Sequence, residues 1–146
     1  MKIRRFEERD FLSLYRLLSD ENVMRYLEEP FDEERTLSFL NDNGLNESPR
    51  IYAVEEDEKF IGYVIFHEYD EKAYEIGWVL YPKYWRKGNA SKLTEMLIEK
   101  GKQMNKDLVI ECVPEQVATK RIAEKYGFSY MGNEDGLEIY RLDHRS

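Results

Sequence analysis

Three basic side chains stand close together just before a long predicted helix. Lys83, Arg86 and Lys87 lie within five residues and are followed by Gly88. Glycine lets a ligand approach the backbone closely, and a helix start offers unpaired N–H groups with the positive end of the helix dipole. This combination predicts an anion site. Because the chain carries a net charge of −8, a local group of positive charges indicates a ligand that bears phosphate.

The elements that position this loop follow from the hydrophobic pattern. Residues 73–81 form a predicted strand, and apolar or small residues recur every three or four positions from Ala90 to Met104, as on a helix with one buried face. The apolar run at 108–113 is typical of a central strand buried on both faces. Such a strand–helix–strand unit places its strands parallel. The loop then lies at the carboxyl end of a strand, where ligands bind in open α/β sheets.

The rest of the chain predicts short helices before this unit and antiparallel strands on either side of it. Asp10 and Asp32 are candidate helix caps, and Glu56–Glu58 and Asn133–Gly136 are candidate hairpin turns. The predicted strands and helices outside the unit cover residues 1–7, 11–18, 23–27, 33–43, 51–56, 59–69, 115–126, 128–131 and 137–142.

Length and composition predict one domain over residues 1–146. No apolar run approaches the roughly 20 residues of a membrane span, so no membrane partner is expected. The acidic net charge argues against nucleic acid as a partner. Cys112 is the single cysteine, which fits a reducing compartment and a cytoplasmic location. Neither His67 nor His144 has a partner at ligand spacing, so no metal site is predicted.

Acidic residues gather in two places, which two interpretations explain. One group lies before and at the start of a predicted helix and comprises Glu28, Glu29, Asp32, Glu33 and Glu34. The other, Glu55–Glu58, includes the predicted turn. They are either solvated helix ends and turns or groups that attract a cationic substrate. The sequence leaves both interpretations open.

Element order and three segments resemble a known family. The segments are VMRYLEEPFDEE at 23–34, EIGWVLYPKYWRKGNAS at 75–91 and VPEQVATKRIAEKYGF at 113–128. They resemble the GNAT superfamily of acetyl-CoA-dependent N-acetyltransferases, in its ribosomal-protein N-terminal acetyltransferase branch. The resemblance implies an α/β (α+β) fold with a mixed, mostly antiparallel central sheet of about seven strands, a splayed parallel pair in its middle, and about four or five flanking helices.

The same resemblance implies an activity. Acetyl-CoA is the expected co-substrate, and the acetyl group passes by direct attack on the thioester to a primary amine, either a protein N-terminus or a small amine. No metal is expected, and the protein is expected to be a monomer or a homodimer.

The resemblance also implies which residues bind CoA. Val79 and Leu80 pair through their backbone with the pantetheine arm, and the N–H near Leu80 bonds the thioester oxygen. Gln116 offers an amide to the same arm. Trp85 stands where many family members have Arg or Gln. The pyrophosphate lies on the backbone N–H groups of Arg86, Lys87, Gly88, Asn89, Ala90 and Ser91.

For catalysis, the resemblance implies that Glu75 helps to remove the amine proton, with Glu111 on the facing strand as the other candidate. The tyrosine that often protonates the leaving thiolate is replaced by Ala123. Thr119, Tyr126 and water are the substitutes.

Acceptor specificity is expected from Met24–Phe31 and Asn133–Leu137, with Glu28 and Glu29 holding a cationic group. The alternative is a non-catalytic module that binds or senses CoA, which the Ala123 position favours. A nucleotide-binding protein is a third reading, but the chain has no GxxxxGK[ST] motif.

Overall fold

The computed structural model describes residues 1–146 and contains seven strands and five α-helices. Strands are hydrogen-bonded in the order β1-β2-β3-β4-β5-β7-β6, with β4 and β5 as the parallel pair. This mixed, mostly antiparallel sheet confirms the predicted fold class. The elements are β1 Lys2–Arg4, α1 Phe11–Leu18, α2 Glu21–Met24, α3 Glu33–Asn43, β2 Ile51–Glu56, β3 Lys59–Asp70, β4 Ala73–Leu80, α4 Asn89–Met104, β5 Asp107–Cys112, α5 Val117–Lys125, β6 Ser129–Glu134 and β7 Leu137–Leu142.

The chain divides into two compact units. The first comprises Met1–Ile65 and Trp78–Lys87, and the second comprises Phe66–Gly77 and Gly88–Ser146. The expectation of a single domain stays a prediction. None of the helices combines the length and apolar character that a transmembrane span requires.

In the first unit, α1 to α3 pack against the sheet. Leu14 and Leu17 of α1 are fully buried, in one apolar cluster with Ala53 of β2, Tyr63 of β3 and Val79 of β4. The side chain of Val79 therefore contributes to the core, and only its backbone is offered to a ligand.

In the second unit, α4 buries Leu93 and Leu97. The parallel ladder of β4 and β5 covers three residue pairs, Ala73–Glu75 with residues 107–109. β5 pairs antiparallel with β7, which pairs antiparallel with the edge strand β6. Parallel pairing is thus limited to the beginning of each strand.

Several predicted boundaries differ from the structure: β1 covers only Lys2–Arg4 instead of residues 1–7, and three other differences have local reasons. α2 starts at Glu21 rather than residue 23, because the carboxylate of Asp20 accepts the N–H groups of the next turn. α5 starts at Val117, because the side chain of Gln116 closes a turn before it. β6 runs on to Glu134, because it pairs with β7 along its length.

Candidate active site

The start of α4 is a helix N-terminus without a side-chain cap. Gly88 is the N-cap residue, in the left-handed region at φ +81°, and the first turn contains no acidic residue. A Cβ placed on Gly88 would meet no atom within 4 Å, so the space beside it is open. The first-turn N–H groups, including those of Ala90 and Ser91, have no intrahelical acceptor. This geometry can bind an anion.

The loop before Gly88 supplies positive charge. Lys83, Arg86 and Lys87 are exposed, and Arg86 adopts φ +59°, an uncommon conformation for a residue with a Cβ. Such backbone conformations often occur at ligand-binding turns. The loop therefore offers both charge and an unusual backbone path to the anion site.

The end of β4 is held against β3 by close backbone packing. A Cβ on Gly62, at φ +154°, would lie 2.1 Å from the carbonyl oxygen of Val79 and 2.8 Å from Cα of Leu80. Only glycine fits there. The N–H of Tyr81 donates to the carbonyl of Ile61 at 3.0 Å. Because all peptides are trans and the Val79 carbonyl faces β3, the N–H of Leu80 points away from β3.

Two carboxylates predicted as candidate bases lie on one face of the sheet. Glu75 is paired with Val109, two residues before Glu111 in β5, so both side chains project to the same side. Oε1 of Glu75 lies 3.6 Å from Nε2 of His67. Burial raises the pKa of Glu111, and the charge of Glu134 raises it further. This face can therefore accept a proton.

Comparison with known proteins decides the family. Residues 1–129 match the family model described as an acetyltransferase (GNAT) domain. The chain belongs to the GNAT acetyltransferase family. It is 38% identical over 135 residues to the uncharacterized N-acetyltransferase YnaD of Bacillus subtilis (strain 168), covering 89% of this chain and 79% of that protein.

Solved structures agree with this family. The GNAT-family acetyltransferase from Bacillus anthracis aligns with a TM-score of 0.87 and 29% identity, over 99% of this chain and 95% of that chain. Spermidine N-acetyltransferase from Vibrio cholerae, solved with CoA and spermine, aligns with a TM-score of 0.80 and 19% identity, over 99% and 98%. The predicted family is confirmed, and the ribosomal-protein branch stays a prediction.

Sequence reasoning missed two residues on the carboxylate face of this GNAT acetyltransferase. His67 is beside Glu75, and Tyr69 packs against the small apolar cluster on this face. Burial raises the pKa of Tyr69, and the charges of Glu111, Glu134 and Glu75 add to this effect. Alternation along β3 puts residues 67 and 69 on one face, but only the strand register shows which carboxylates they meet.

The predicted proton donors of the acetyltransferase lie on or next to α5. The hydroxyl of Tyr126 donates to Oε2 of Glu95 at 2.5 Å and lies 3.4 Å from the carbonyl oxygen of Ser91. Tyr126 is therefore placed against the first turns of α4. Thr119 is partly buried on α5, whereas Ala123 is fully buried. These positions leave the assignment of the proton donor a prediction.

The side-chain amide of Gln116 is hydrogen-bonded within the protein through its oxygen only. Its Oε1 accepts the N–H of Val113 at 3.0 Å and so closes the turn before α5. The NH₂ group is the part that can still donate to a ligand, which is compatible with the predicted contact to the pantetheine arm.

The predicted acceptor-binding carboxylates differ in their surroundings. Glu28 forms an ion pair with Arg35 at 2.5 Å, and both side chains are about half exposed. The Arg35 guanidinium also lies 4.2 Å from the centre of the Phe31 ring. Glu29 is exposed. The pairing offsets the charge of Glu28, so Glu29 is the better placed of the two to attract a cation.

Both histidines have carboxylate neighbours that the sequence did not indicate. Nδ1 of His144 lies 2.8 Å from Oδ1 of Asp107, and potential ligand atoms of Asp107, Asp143 and His144 lie within 4.8 Å of one another. Asp107 also accepts hydrogen bonds from the Arg141 guanidinium at about 3 Å. Since a guanidinium already neutralises this carboxylate, the group is an ion-pair network that ties β5 to the end of the chain.

Proposed function

We propose that this protein transfers the acetyl group of acetyl-CoA to a primary amine. The observation that carries the proposal is the uncapped start of α4, where left-handed Gly88 precedes a 16-residue helix. The CoA pyrophosphate is expected on the backbone N–H groups of residues 86–91, with the charges of Arg86 and Lys87 beside them.

The residues present fit such a ligand. The space beside Gly88 is open, the first turn of α4 has no acidic side chain that would repel phosphate, and the preceding loop is basic. The spermidine N-acetyltransferase that shares this fold was solved with CoA, which supports CoA as the ligand.

The chemistry requires a neutral amine, a stabilised oxyanion and a proton for the thiolate. An amine with a pKa near 10 is mostly protonated at neutral pH, and Glu75 or Glu111 removes its proton, directly or through a water molecule. The nitrogen then attacks the thioester carbon, the C–N bond forms and the C–S bond breaks. The N–H of Leu80 stabilises negative charge on the oxygen, and Tyr126, Thr119 or water returns a proton to the thiolate.

The acceptor is proposed to be a cationic amine, such as a peptide N-terminus or a polyamine. The exposed carboxylate of Glu29 and the group of Glu75, Glu111 and Glu134, whose charges act together on Tyr69, support this choice, because negative groups attract a cation. The spermine in the Vibrio cholerae structure supports polyamines as the first candidates. A ribosomal-protein N-terminus, which the sequence resemblance favours, is the second.

A thiol-release screen tests the proposal. Acetyl-CoA is mixed with the protein and with polyamines, N-terminal peptides, aminoglycosides or amino acids, and free CoA thiol is measured. The proposal expects thiol release with at least one class of amine, and CoA should raise the melting temperature by mass action. Absence of CoA binding at millimolar concentration would contradict it. Tight CoA binding without turnover across the panel would instead support the non-catalytic module.

A further inference from the structure

We infer that Trp85 is a positioning residue that holds the backbone at Leu80 ready to bind the thioester oxygen; this inference rests on the proposed function. The indole N–H of Trp85 donates to the carbonyl oxygen of Leu80 at 2.9 Å. Trp85 is 41% exposed, and this hydrogen bond links its side chain directly to the end of β4.

Strand geometry places the two polar backbone atoms of Leu80 on the same edge. In an extended strand the N–H and C=O of one residue point to the same side, and those of the next residue to the other. The carbonyl of Val79 and the N–H of Tyr81 both face β3. The N–H and C=O of Leu80 therefore both face away from β3.

The peptide plane between Leu80 and Tyr81 is fixed at both of its polar atoms. Trp85 holds the carbonyl of Leu80, and the carbonyl of Ile61 holds the N–H of Tyr81. The Tyr81 hydroxyl also donates to the carbonyl of Ser13 in α1. Rotation of this plane would break two hydrogen bonds, so the backbone on the carboxyl side of Leu80 is restrained before a ligand arrives, and this restrains the extended conformation on which the direction of the Leu80 N–H depends.

The indole bond also changes the electrostatics at this edge. Without it, the partly negative carbonyl oxygen of Leu80 would stand beside the N–H that is proposed to stabilise an oxyanion. Donation from the indole satisfies that carbonyl and reduces its repulsion of the developing charge. Preorganised donors stabilise a transition state because they need no reorientation during the reaction. Trp85 thus acts through Leu80 and raises kcat more than it lowers KM.

The test compares Trp85→Phe with Trp78→Phe. The first variant removes the N–H donor while keeping an aromatic ring, and the second removes the other indole, which lies in β4 and does not bond to Leu80. With the best amine of the screen, Trp85→Phe is expected to lower kcat about tenfold, a fraction of the loss on removing an oxyanion donor itself. KM for acetyl-CoA should stay within about twofold, because that donor acts mainly in the transition state.

A second readout uses the protein without ligand. Hydrogen exchange of the Tyr81 amide should be faster in Trp85→Phe than in wild type, because one of the two bonds that fix its peptide plane is lost. Trp78→Phe should leave that exchange rate unchanged. Melting temperatures of both variants show whether either change is a general loss of stability.

The outcomes separate this inference from the proposed function. The positioning role is overturned if the wild type releases thiol and Trp85→Phe keeps the wild-type kcat. It is also overturned if kcat falls only by the same factor by which KM changes. Unchanged exchange of the Tyr81 amide would also overturn it. If the wild type binds no CoA, the proposed function fails, and the inference fails with it for that distinct reason.

Discussion

Two helices of this protein begin in opposite ways. At α3, the carboxylate of Asp32 accepts the N–H of Arg35 at 2.8 Å, and Glu33 and Glu34 lie in the first turn. At α4, Gly88 provides no side chain to cap the helix, and the first turn has no acidic residue. The start of α3 is capped by a side chain and carries acidic residues, and the start of α4 has neither.

The difference shows how the sequence separates stability from binding. A side-chain cap typically stabilises a helix by about 1 kcal/mol, and acidic residues in the first turn add a few tenths of a kcal/mol each. α4 lacks both contributions and relies on burial of Leu93 and Leu97. We expect a bound anion to supply at α4 what Asp32, Glu33 and Glu34 supply at α3.

The largest loss of CoA affinity is expected when α4 is given an acidic residue at its start, as α3 has. Gly88→Glu places a carboxylate at the uncapped N-terminus, where it competes with phosphate and repels it. CoA affinity should fall at least about 100-fold, since both the dipole interaction and the close backbone approach are lost. Calorimetric titration with CoA measures this loss.

Backbone strain must be separated from this effect. Gly136→Glu is a matched control, because Gly136 has φ +84° and a Cβ there also meets no atom within 4 Å. Both variants should lose about 1–2 kcal/mol of stability from the left-handed conformation, but only Gly88→Glu should lose CoA binding. Equal CoA affinity in the two variants would contradict the assignment of α4.

A smaller effect is expected from the basic loop. Exposed charge pairs contribute up to about 1 kcal/mol each, so the double variant Arg86→Ala/Lys87→Ala should weaken CoA binding roughly tenfold at low salt. The loss should shrink at high salt because surface charges are screened. Lys100→Ala/Lys102→Ala, at the other end of α4, is the matched control. A loss independent of salt would mean that the loop acts through its shape rather than its charge.

At α3, removal of the cap is expected to lower stability without changing CoA affinity. Asp32→Ala should lower the free energy of unfolding by about 1 kcal/mol, equivalent to about 3 °C in melting temperature, and leave CoA affinity unchanged. Asp32→Ser keeps a capping oxygen and should restore most of the stability. If Asp32→Ala weakened CoA binding as strongly as Gly88→Glu, the contrast between the two helix starts would be wrong.

The smallest effect concerns pH. The backbone N–H groups at the start of α4 do not titrate, so they add no pH dependence. Glu111 does add one, because burial and the charge of Glu134 raise the pKa of its carboxyl. A carboxyl with a raised folded pKa contributes stability below its unfolded pKa, near 4.3, and loses it as pH rises through the folded value. Glu111→Gln should therefore gain stability over wild type as pH rises from about 4 towards neutrality. Denaturant unfolding at several pH values measures this, and a pH-independent difference would contradict it.

The sequence alone predicts the features that depend on neighbours along the chain. Gly88 after three basic residues, the helix face of Leu93 and Leu97, and the hairpin strand Leu137–Leu142 all follow from local spacing. These patterns suffice for the fold class, which the structure confirms, and for the prediction of an anion site at α4. They also lead to the resemblance that the family comparison confirms.

Contacts between distant strands could not be predicted in this way. The pairing of His67 with Glu75 and of His144 with Asp107 depends on strand register, which the chain does not display locally. The ion pair of Glu28 with Arg35 depends on the path of the loop before α3. The indole bond from Trp85 to Leu80 likewise needs the backbone direction at the end of β4. Residue types show which chemical groups the chain contains, but strand register determines which of these groups are in contact.

Amide NMR is the direct test of whether the start of α4 binds the phosphates of CoA. CoA is titrated into ¹⁵N-labelled protein, and the backbone amides at both helix starts are followed. Phosphate binding at α4 should cause large shifts for Gly88 to Ser91 and none beyond experimental error for Glu33 to Arg35. Binding of CoA without shifts at Gly88 to Ser91, or equal shifts at both helices, would contradict it.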